Sequence, residues 1–125
     1  MIALWLMAGL LVKHFLCDFP FQTKRMLAEK GTYLEMGGVH HAFAHGIATA
    51  LVFVLFGFAE VAGTVAVLDI LIHYHVDYLK MKINKWADLK VDNQMFWNAL
   101  GADQLAHGLT YVLLCYLALS VPIKG

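Results

Sequence analysis

The chain has 125 residues, of which 61% are hydrophobic and 14% are charged, with a mean hydropathy of +0.67 and no net charge. Soluble domains are about 45–50% apolar and about 25% charged, so this composition indicates an integral membrane protein. The zero net charge argues against a nucleic-acid partner, which would require a basic surface. Two cysteines are too few for a disulfide framework.

The first apolar segment covers residues 1–19, which as a helix would cross about one hydrocarbon core. It lacks the basic start and the small-residue cleavage site of a signal peptide, so we interpret it as a retained span. Pro20 predicts its end, because proline cannot donate a backbone hydrogen bond and disfavours helix at the preceding residue. Within the polar connector that follows, residues 23–30 are expected to form a short interfacial helix.

Three further apolar segments follow, at residues 39–58, 61–79 and 99–121. Only a few residues separate the second segment from the third, which predicts a tight helical hairpin. The connector after the third segment carries lysines and tryptophans, as expected at a membrane interface. The sequence therefore predicts an all-α, integral membrane four-helix bundle with up-down-up-down topology and short interfacial helices in the cytoplasmic connectors. Residues 1–125 would form a single membrane domain.

The basic residues predict the orientation of this bundle. Eight of the nine lysines and arginines lie at or between segments one and two, or at or between segments three and four. By the positive-inside rule these two connectors face the cytoplasm, and both termini face the other side. We therefore expect a multi-pass protein of the bacterial inner membrane. Lys13 is expected to extend its ammonium group towards the lipid head groups.

Each apolar segment carries two potential metal ligands spaced four residues apart, which places both on one face of a helix. In the predicted topology all four pairs lie near the cytoplasmic ends of their helices, so they converge at one depth. Histidines and aspartates within a membrane are costly to bury and are typical of functional sites. The eight residues are His14, Asp18, His41, His45, His73, Asp77, Asp103 and His107.

The order of residues within the pairs predicts two layers. The deep layer contains one histidine from each helix, and the shallow layer, about 6 Å away, contains three aspartates and His41. Mixed His/Asp ligation suits zinc, which is the favoured ion, and also iron or manganese. Inward-facing carboxylates and histidines of helical bundles can hold two metals, so we expect one or two divalent ions. Asp69, one turn deeper than His73, is a further ligand, an acid/base group or a hydrogen-bonded residue.

The expected activity is metal-assisted hydrolysis of a lipid or another membrane-associated ester or phosphoester. A bound metal lowers the pKa of water and yields hydroxide near neutral pH. Asp18, Asp77 or Asp103 would bridge metals or act as the base, and Gln22 and Gln104 would orient substrate or water. Three basic residues near the site either contact an anionic head group or only orient the protein in the membrane. These are Lys24, Arg25 and Lys80.

Two other classes of protein remain open. In the first, the metal or ion-pair core is structural, and the chain is a non-catalytic subunit or partner-binding protein of a membrane complex. A closed site with four protein ligands per metal would favour this class. In the second, the deep histidines bind haem or carry protons, although haem leaves the shallow aspartates without a role. The expected partners are the lipid bilayer and a membrane-associated substrate, with an oligomer or a protein partner also open.

The His/Asp motifs resemble those of an uncharacterised family of small bacterial and phage integral membrane proteins, catalogued as a domain of unknown function. Its successive helices carry patterns similar to His-x3-Asp-Phe-x-x-Gln, His-x3-His, His-x3-Asp-x-x-Lys and Asp-Gln-x-x-His. The matching residues here are His14, Asp18, Phe19, Gln22, His41, His45, His73, Asp77, Lys80, Asp103, Gln104 and His107. The resemblance spans nearly the whole chain and implies no particular activity. More distantly, the chain is similar to bacterial inner-membrane proteins labelled metal-dependent hydrolases, which favours hydrolysis modestly.

Overall fold

The computed structural model describes residues 1–121, which form five α-helices and no strands. The predicted all-α class is therefore confirmed. The predicted single domain extends to residue 125, and its last four residues lie outside the described range. The helices are α1 (Ile2–Asp18), α2 (Lys24–Glu29), α3 (Met36–Leu55), α4 (Ala59–Trp86) and α5 (Gln94–Ser120).

A short helix is present in the first connector, as expected, and forms α2. Thr23 caps its start, because the side-chain oxygen accepts a hydrogen bond from the Met26 N–H at 3.2 Å. At the other end, Glu29 accepts a hydrogen bond from the Gly37 N–H at 2.7 Å, which ties α2 to the first turn of α3. This hydrogen bond stabilises the carboxylate and holds the pKa of Glu29 below its ordinary value.

The second connector differs from the prediction. α4 continues to Trp86 and α5 already begins at Gln94, so residues 87–93 connect them without a separate interfacial helix. Residues 79–86 contain neither proline nor glycine and are rich in residues with good helix propensity, which explains why α4 extends past its predicted end. The added turns of α4 carry lysines and a tryptophan rather than a continuous apolar face.

The four long helices pack in a ring in the order α1, α3, α4 and α5, and α5 closes the ring against α1. The short helix α2 packs against α3. The predicted hairpin between α3 and α4 is present, and Gly57 in its turn has a φ of +87°, which glycine adopts without a steric penalty. This order places the end of α1 beside the start of α3, and the last third of α4 beside the start of α5.

α3 and α4 approach each other closely around Gly46. A Cβ atom at this position would overlap Cγ1 of Ile70 and would lie 3.1 Å from the carbonyl oxygen of Ala66. Because Gly46 directly follows His45 in α3, this close approach determines how near the histidines of α3 come to α4. The glycine thus links helix packing to the geometry of the polar interior.

The distribution of side chains is inverted relative to that of a water-soluble domain. Large apolar side chains such as Phe15, Leu55 and Leu105 are exposed around the ring, whereas the buried side chains of the described range include as many polar as apolar ones. Apolar exposure of this extent is typical of a surface that contacts a membrane or a partner. Among the described helices, α3 and α4 are long and apolar enough to cross a membrane.

The interior of the ring divides into an apolar half and a polar half. The apolar half lies towards the α3–α4 turn and is close-packed, and it contains Leu6, Leu10, Phe53, Val65, Tyr111 and Leu114. The polar half lies towards the two long connectors and contains the histidines and aspartates singled out by the sequence. The apolar half holds the helices together and thereby fixes the positions of the polar side chains.

A candidate metal centre

All eight predicted ligands lie in the polar half of the interior. None of them is more than 7% exposed, and together they come from all four long helices. The four histidines predicted to form the deep layer lie against one another. The rings of His45 and His73 stack with centroids 3.6 Å apart, those of His73 and His107 are 4.1 Å apart, and His14 lies 5.0 Å from His107.

One group of potential ligands surrounds Asp18 at the end of α1. Its Oδ1 lies 3.0 Å from Nε2 of His45, 3.1 Å from Nε2 of His41 and 3.9 Å from Nε2 of His73. One ligand atom from each of the four residues lies within 4.8 Å of the others. We refer to Asp18, His41, His45 and His73 as the Asp18 group.

A second group surrounds Asp77 in α4. Nε2 of His107 lies 3.3 Å from Oδ1 of Asp77, and Nε2 of His73 lies 3.6 Å from Oδ2. We refer to His73, Asp77 and His107 as the Asp77 group, whose ligand atoms also lie within 4.8 Å of one another. His73 belongs to both groups. His41 connects them further, since its Nε2 lies 3.2 Å from Oδ2 of Asp77 and 3.3 Å from Nε2 of His73.

The spacing of these atoms fits a metal site. Ligands held at 2.0–2.1 Å around a tetrahedral zinc ion lie about 3.3 Å from one another. The carboxylate-to-imidazole separations around Asp18 and Asp77 run from 3.0 to 3.9 Å. Both groups can therefore hold a metal ion after small side-chain movements. The same residues also form ion pairs and hydrogen bonds with each other, as in the contacts of His41 with both carboxylates.

Two of the eight predicted ligands lie beside these groups rather than in them. His14 has both ring nitrogens engaged, with Nδ1 2.7 Å from the Tyr111 hydroxyl and Nε2 3.0 Å from Oε1 of Gln104. Asp103 accepts a hydrogen bond from Nε2 of Gln104 at 3.1 Å, and its Oδ1 lies 3.5 Å from Nε2 of His107. Gln104, predicted to orient substrate or water, thus connects His14 to Asp103.

Lys13 does not extend to the lipid head groups as predicted. Its side chain is buried, and Nζ lies 2.7 Å from Oδ2 of Asp69. The reason is positional, because Lys13 is on the face of α1 that packs on α3, more than a turn from the helix end. Asp69, whose role the sequence left open, is therefore the acid of a buried ion pair. Two buried charges of opposite sign are much less costly together than apart.

A second buried lysine reaches the site from the first connector. Lys30 follows α2, and its Nζ lies 3.1 Å from Oδ2 of Asp77 and 2.9 Å from Oε1 of Gln22. The chain can approach because Gly38 faces it, where a Cβ atom would lie 3.0 Å from Cα of Lys30. The sequence did not indicate that Lys30 is part of the site. A lysine in a polar connector gives no signal of burial until the path of α2 is known.

The other basic residues considered as head-group contacts lie outside the polar interior. Lys24 and Arg25 are exposed on α2, and Nε of Arg25 lies 2.9 Å from Oε1 of Glu29. Lys80 is half-buried on α4, where its Nζ lies 3.9 Å from the Met81 sulfur. None of the three pairs with the carboxylates of the centre in the described structure. They remain at the end of the bundle where the connectors lie.

The buried charges of the polar half do not balance. Within residues 1–121, four buried aspartates stand against two buried lysines, so two negative charges remain if all histidines are neutral. Uncompensated charge in a low-dielectric interior costs several kcal/mol or more. One divalent cation would neutralise the cluster, and so would protonation of two imidazoles. The aspartates are Asp18, Asp69, Asp77 and Asp103, and the lysines are Lys13 and Lys30.

Fold and site together define a class, namely an all-α protein with buried His/Asp groups that can hold a metal ion. Comparison with family models places the chain more narrowly. It belongs to the DUF3307 family, proteins of unknown function, whose model matches residues 6–123. The expected membership of an uncharacterised family is thus confirmed. Searches of curated proteins and of solved structures found no match.

Proposed function

We propose that this chain is an integral membrane four-helix bundle that binds a divalent metal ion and hydrolyses a lipid or another membrane-associated ester or phosphoester. All four long helices would cross the membrane, with α1 and α5 beside α3 and α4. The lysine and arginine distribution supports a bacterial inner membrane location with both termini on the non-cytoplasmic side. The metal centre would then lie in the cytoplasmic half of the bilayer, near the two charged connectors.

The observation that carries the proposal is the convergence of imidazole nitrogens on two buried carboxylates whose charge is not balanced by lysines. Nε2 of His41 lies within 3.3 Å of Asp18, Asp77 and His73 at the same time. A single N–H hydrogen cannot satisfy three such neighbours. A cation among these atoms accounts for the arrangement, since it is attracted to every lone pair that points at it.

The donor atoms suit zinc, iron or manganese, with zinc favoured because nitrogen and carboxylate ligands in a tetrahedral arrangement are typical of it. When bound, such an ion supplies Lewis acidity, which lowers the pKa of water to about 7 and favours hydroxide as a nucleophile. Hydrolysis is the simplest reaction that this chemistry serves. It needs no redox-active partner and no residue outside the polar half of the bundle.

A cleft between α4 and α5 supports access for a lipid-like substrate. It has a volume of about 200 Å³, and its lining residues include Asp103, one helical turn from His107. Oδ1 of Asp103 is buried without a hydrogen-bond partner in the described structure and lies 3.5 Å from Nε2 of His107, so it would act as a base towards water held within the centre. The apolar lining, suited to an acyl chain, comes from Val76, Leu79, Ile83, Ala99, Ala102 and Ala106.

A structural ion-pair core is the second candidate function. It is favoured by the contacts of Asp77, which already pairs with Lys30 and has His41 and His107 within 3.3 Å. Protonation of two imidazoles would then balance the charge, and the core would serve only to hold four helices in register. The chain would in that case be a subunit or a partner-binding protein of a membrane complex.

Haem binding receives less support from the geometry. The rings of His45 and His73 stack at 3.6 Å and those of His73 and His107 at 4.1 Å. A porphyrin held between two axial histidines needs a planar slot between their rings, and these histidines pack directly on one another. The close stacking favours ligands that share one small ion, as in the carboxylate and histidine sites of helical bundles.

Hydrolysis is tested on the chain purified in detergent, with zinc, iron(II) or manganese added and with a chelator as the blank. Acyl-ester and phosphoester lipids in mixed micelles are the substrates. We expect turnover that needs metal and is lost in His107→Gln but kept in His75→Gln, whose histidine is exposed on α4. Metal binding without turnover of either lipid class would instead support the structural core.

A further inference from the structure

A buried lysine, Lys13, lies next to the histidines of the candidate centre and contacts three hydrogen-bond acceptors. Nζ of Lys13 is 2.7 Å from Oδ2 of Asp69, 3.2 Å from Nδ1 of His45 and 3.4 Å from the His45 carbonyl oxygen. Thr49 donates its hydroxyl hydrogen to the same Asp69 oxygen at 2.5 Å. An ammonium group has three hydrogens and no lone pair, so each hydrogen of Lys13 has an acceptor.

This contact decides where the hydrogen of His45 lies. Because Lys13 only donates, Nδ1 of His45 must accept, and the ring hydrogen of the neutral imidazole is therefore on Nε2. That nitrogen lies 3.0 Å from Oδ1 of Asp18, to which it donates a hydrogen bond. A ring nitrogen that carries a hydrogen has no lone pair for a metal ion. His45 is thus turned from a potential ligand into a partner of Asp18.

The second oxygen of Asp18 is held in a similar way from α1. Nε2 of His14 lies 3.1 Å from Oδ2 of Asp18 and 3.0 Å from Oε1 of Gln104. Both neighbours are acceptors, so this nitrogen carries the hydrogen, and the Tyr111 hydroxyl at 2.7 Å donates to Nδ1. Lys13 also lies over the ring of Tyr111, 4.6 Å from its centroid. The deep layer therefore points two N–H groups at Asp18.

We infer that Lys13, paired with Asp69, is a positioning residue that makes His45 a hydrogen-bond donor to Asp18 and thereby assigns the metal ion to the Asp77 group. The assignment of the ion rests on the proposed function, whereas the hydrogen position on His45 does not. The Asp77 group supplies one carboxylate and two imidazoles, with His41 beside it. Three protein ligands leave a coordination position for water or substrate, as in catalytic zinc sites.

The hydrogen position is tested without metal. ¹⁵N NMR of histidine-labelled, chelator-treated chain in detergent at neutral pH reports which ring nitrogen carries the hydrogen. We expect His45 to have it on Nε2 in the wild type and to lose this preference in Lys13→Met/Asp69→Asn, which removes both charges together. Lys24→Met, on an exposed lysine, is the control and should leave the His45 signals unchanged. A wild-type His45 with its hydrogen on Nδ1 would overturn the inference.

The assignment of the ion is tested by zinc stoichiometry and affinity. We expect His45→Gln to keep the wild-type zinc stoichiometry, because Gln can still donate a hydrogen bond to Asp18. Its zinc affinity should fall about 10–100-fold, as for other residues that orient a metal ligand. His107→Gln should lose the ion. Loss of zinc in His45→Gln together with retention in His107→Gln would reverse the assignment. A wild type that binds no divalent metal would refute the proposed function while leaving the NMR result on His45 intact.

Discussion

Asp18 and Asp77 are both buried carboxylates surrounded by histidines, yet only Asp77 also pairs with a buried lysine in the described structure. Asp18 lies 3.0–3.1 Å from three imidazole nitrogens of α1 and α3, and no lysine pairs with it in the described structure. Asp77 pairs with Lys30, which enters from the connector next to α2. In the proposed assignment of the metal ion, burial and residue type do not by themselves make a residue a ligand. Whether a buried histidine or aspartate can bind the ion also depends on where the neighbouring hydrogens point and on the nearest compensating charge.

The largest effect is expected from neutralising Asp77. Asp77→Asn leaves Lys30 buried without a carboxylate, and breaking a buried ion pair in this way costs about 3–5 kcal/mol. Asp18→Asn removes a hydrogen-bond acceptor without leaving a buried lysine unpaired, so its cost should be about 1–3 kcal/mol. Denaturant unfolding in a fixed detergent measures both. Equal losses would show that the two carboxylates do not differ as described.

Substituting Lys30 should reveal the same energetic coupling between Lys30 and Asp77. Lys30→Met leaves Asp77 buried without its counter-charge, whereas the double variant Lys30→Met/Asp77→Asn removes both charges. We expect the double variant to lose less unfolding free energy than the two single variants together, by about 0.5–3 kcal/mol. The corresponding cycle between Lys30 and Asp18 is the control and should be close to additive. Additivity in the first cycle would contradict the ion pair.

Metal should stabilise the two carboxylate variants differently. Added zinc is expected to raise the unfolding temperature of the wild type and of Asp18→Asn, but not that of Asp77→Asn. The stabilisation should weaken as the pH falls below about 6.5, because ligating imidazoles must be deprotonated and protons compete with the metal. Thermal unfolding with and without chelator at several pH values measures this. Zinc stabilisation of Asp77→Asn alone would favour the Asp18 group as the site.

The close approach of α3 and α4 supports both carboxylates, and an added methyl group should disturb it. Gly46→Ala forces a Cβ against Ile70, so we expect a loss of about 1–3 kcal/mol and weaker zinc binding. Gly108→Ala is the matched control in α5, where a Cβ would meet no atom within 4 Å. It should be neutral or stabilise by up to about 1 kcal/mol through helix propensity. Similar losses in both variants would exclude close packing as the cause.

The smallest effect is expected in the connector that presents Lys30. The Gly37 N–H holds the pKa of Glu29 below its ordinary value of 4.5, so the ionised carboxylate favours the folded connector. This contribution is present above pH 4.5 and is lost as the pH falls through the lowered pKa. Glu29→Gln should therefore exchange its α2 amide hydrogens faster than the wild type at neutral pH. The difference should disappear in acid, and a difference that persists there would have another cause.

The sequence alone predicted the helices that carry the candidate site and the burial of its eight candidate ligands. Pairs spaced by four residues share a helix face, and alternating topology brings the ends of α1 and α4 to the starts of α3 and α5. Those rules depend only on helix geometry and span length, which are local properties. The extension of α4 was not predicted, because the helix was expected to end with its apolar segment. Residues 79–86 favour helix although they are not continuously apolar.

The sequence could not show that six of the eight residues form two groups, with His14 and Asp103 beside them. This division depends on which atoms meet each imidazole, and these come from distant positions such as Tyr111 and Gln104. Burial of Lys13 and Lys30 was unpredictable for a related reason. Lys13 is buried because it pairs with Asp69 of α4, and Lys30 is buried because the chain after α2 passes close to Gly38. Hydrogen positions and compensating charges are tertiary properties.

The central proposal is tested most directly by the metal content of the wild-type chain, purified in detergent without chelator and analysed by mass spectrometry beside Asp77→Asn. We expect at least one zinc, iron or manganese ion per folded wild-type chain and only background metal in the variant. A folded, monodisperse wild type that carries no divalent metal, and that none of these ions stabilises when added, would contradict the proposal and leave the His/Asp core with a structural role.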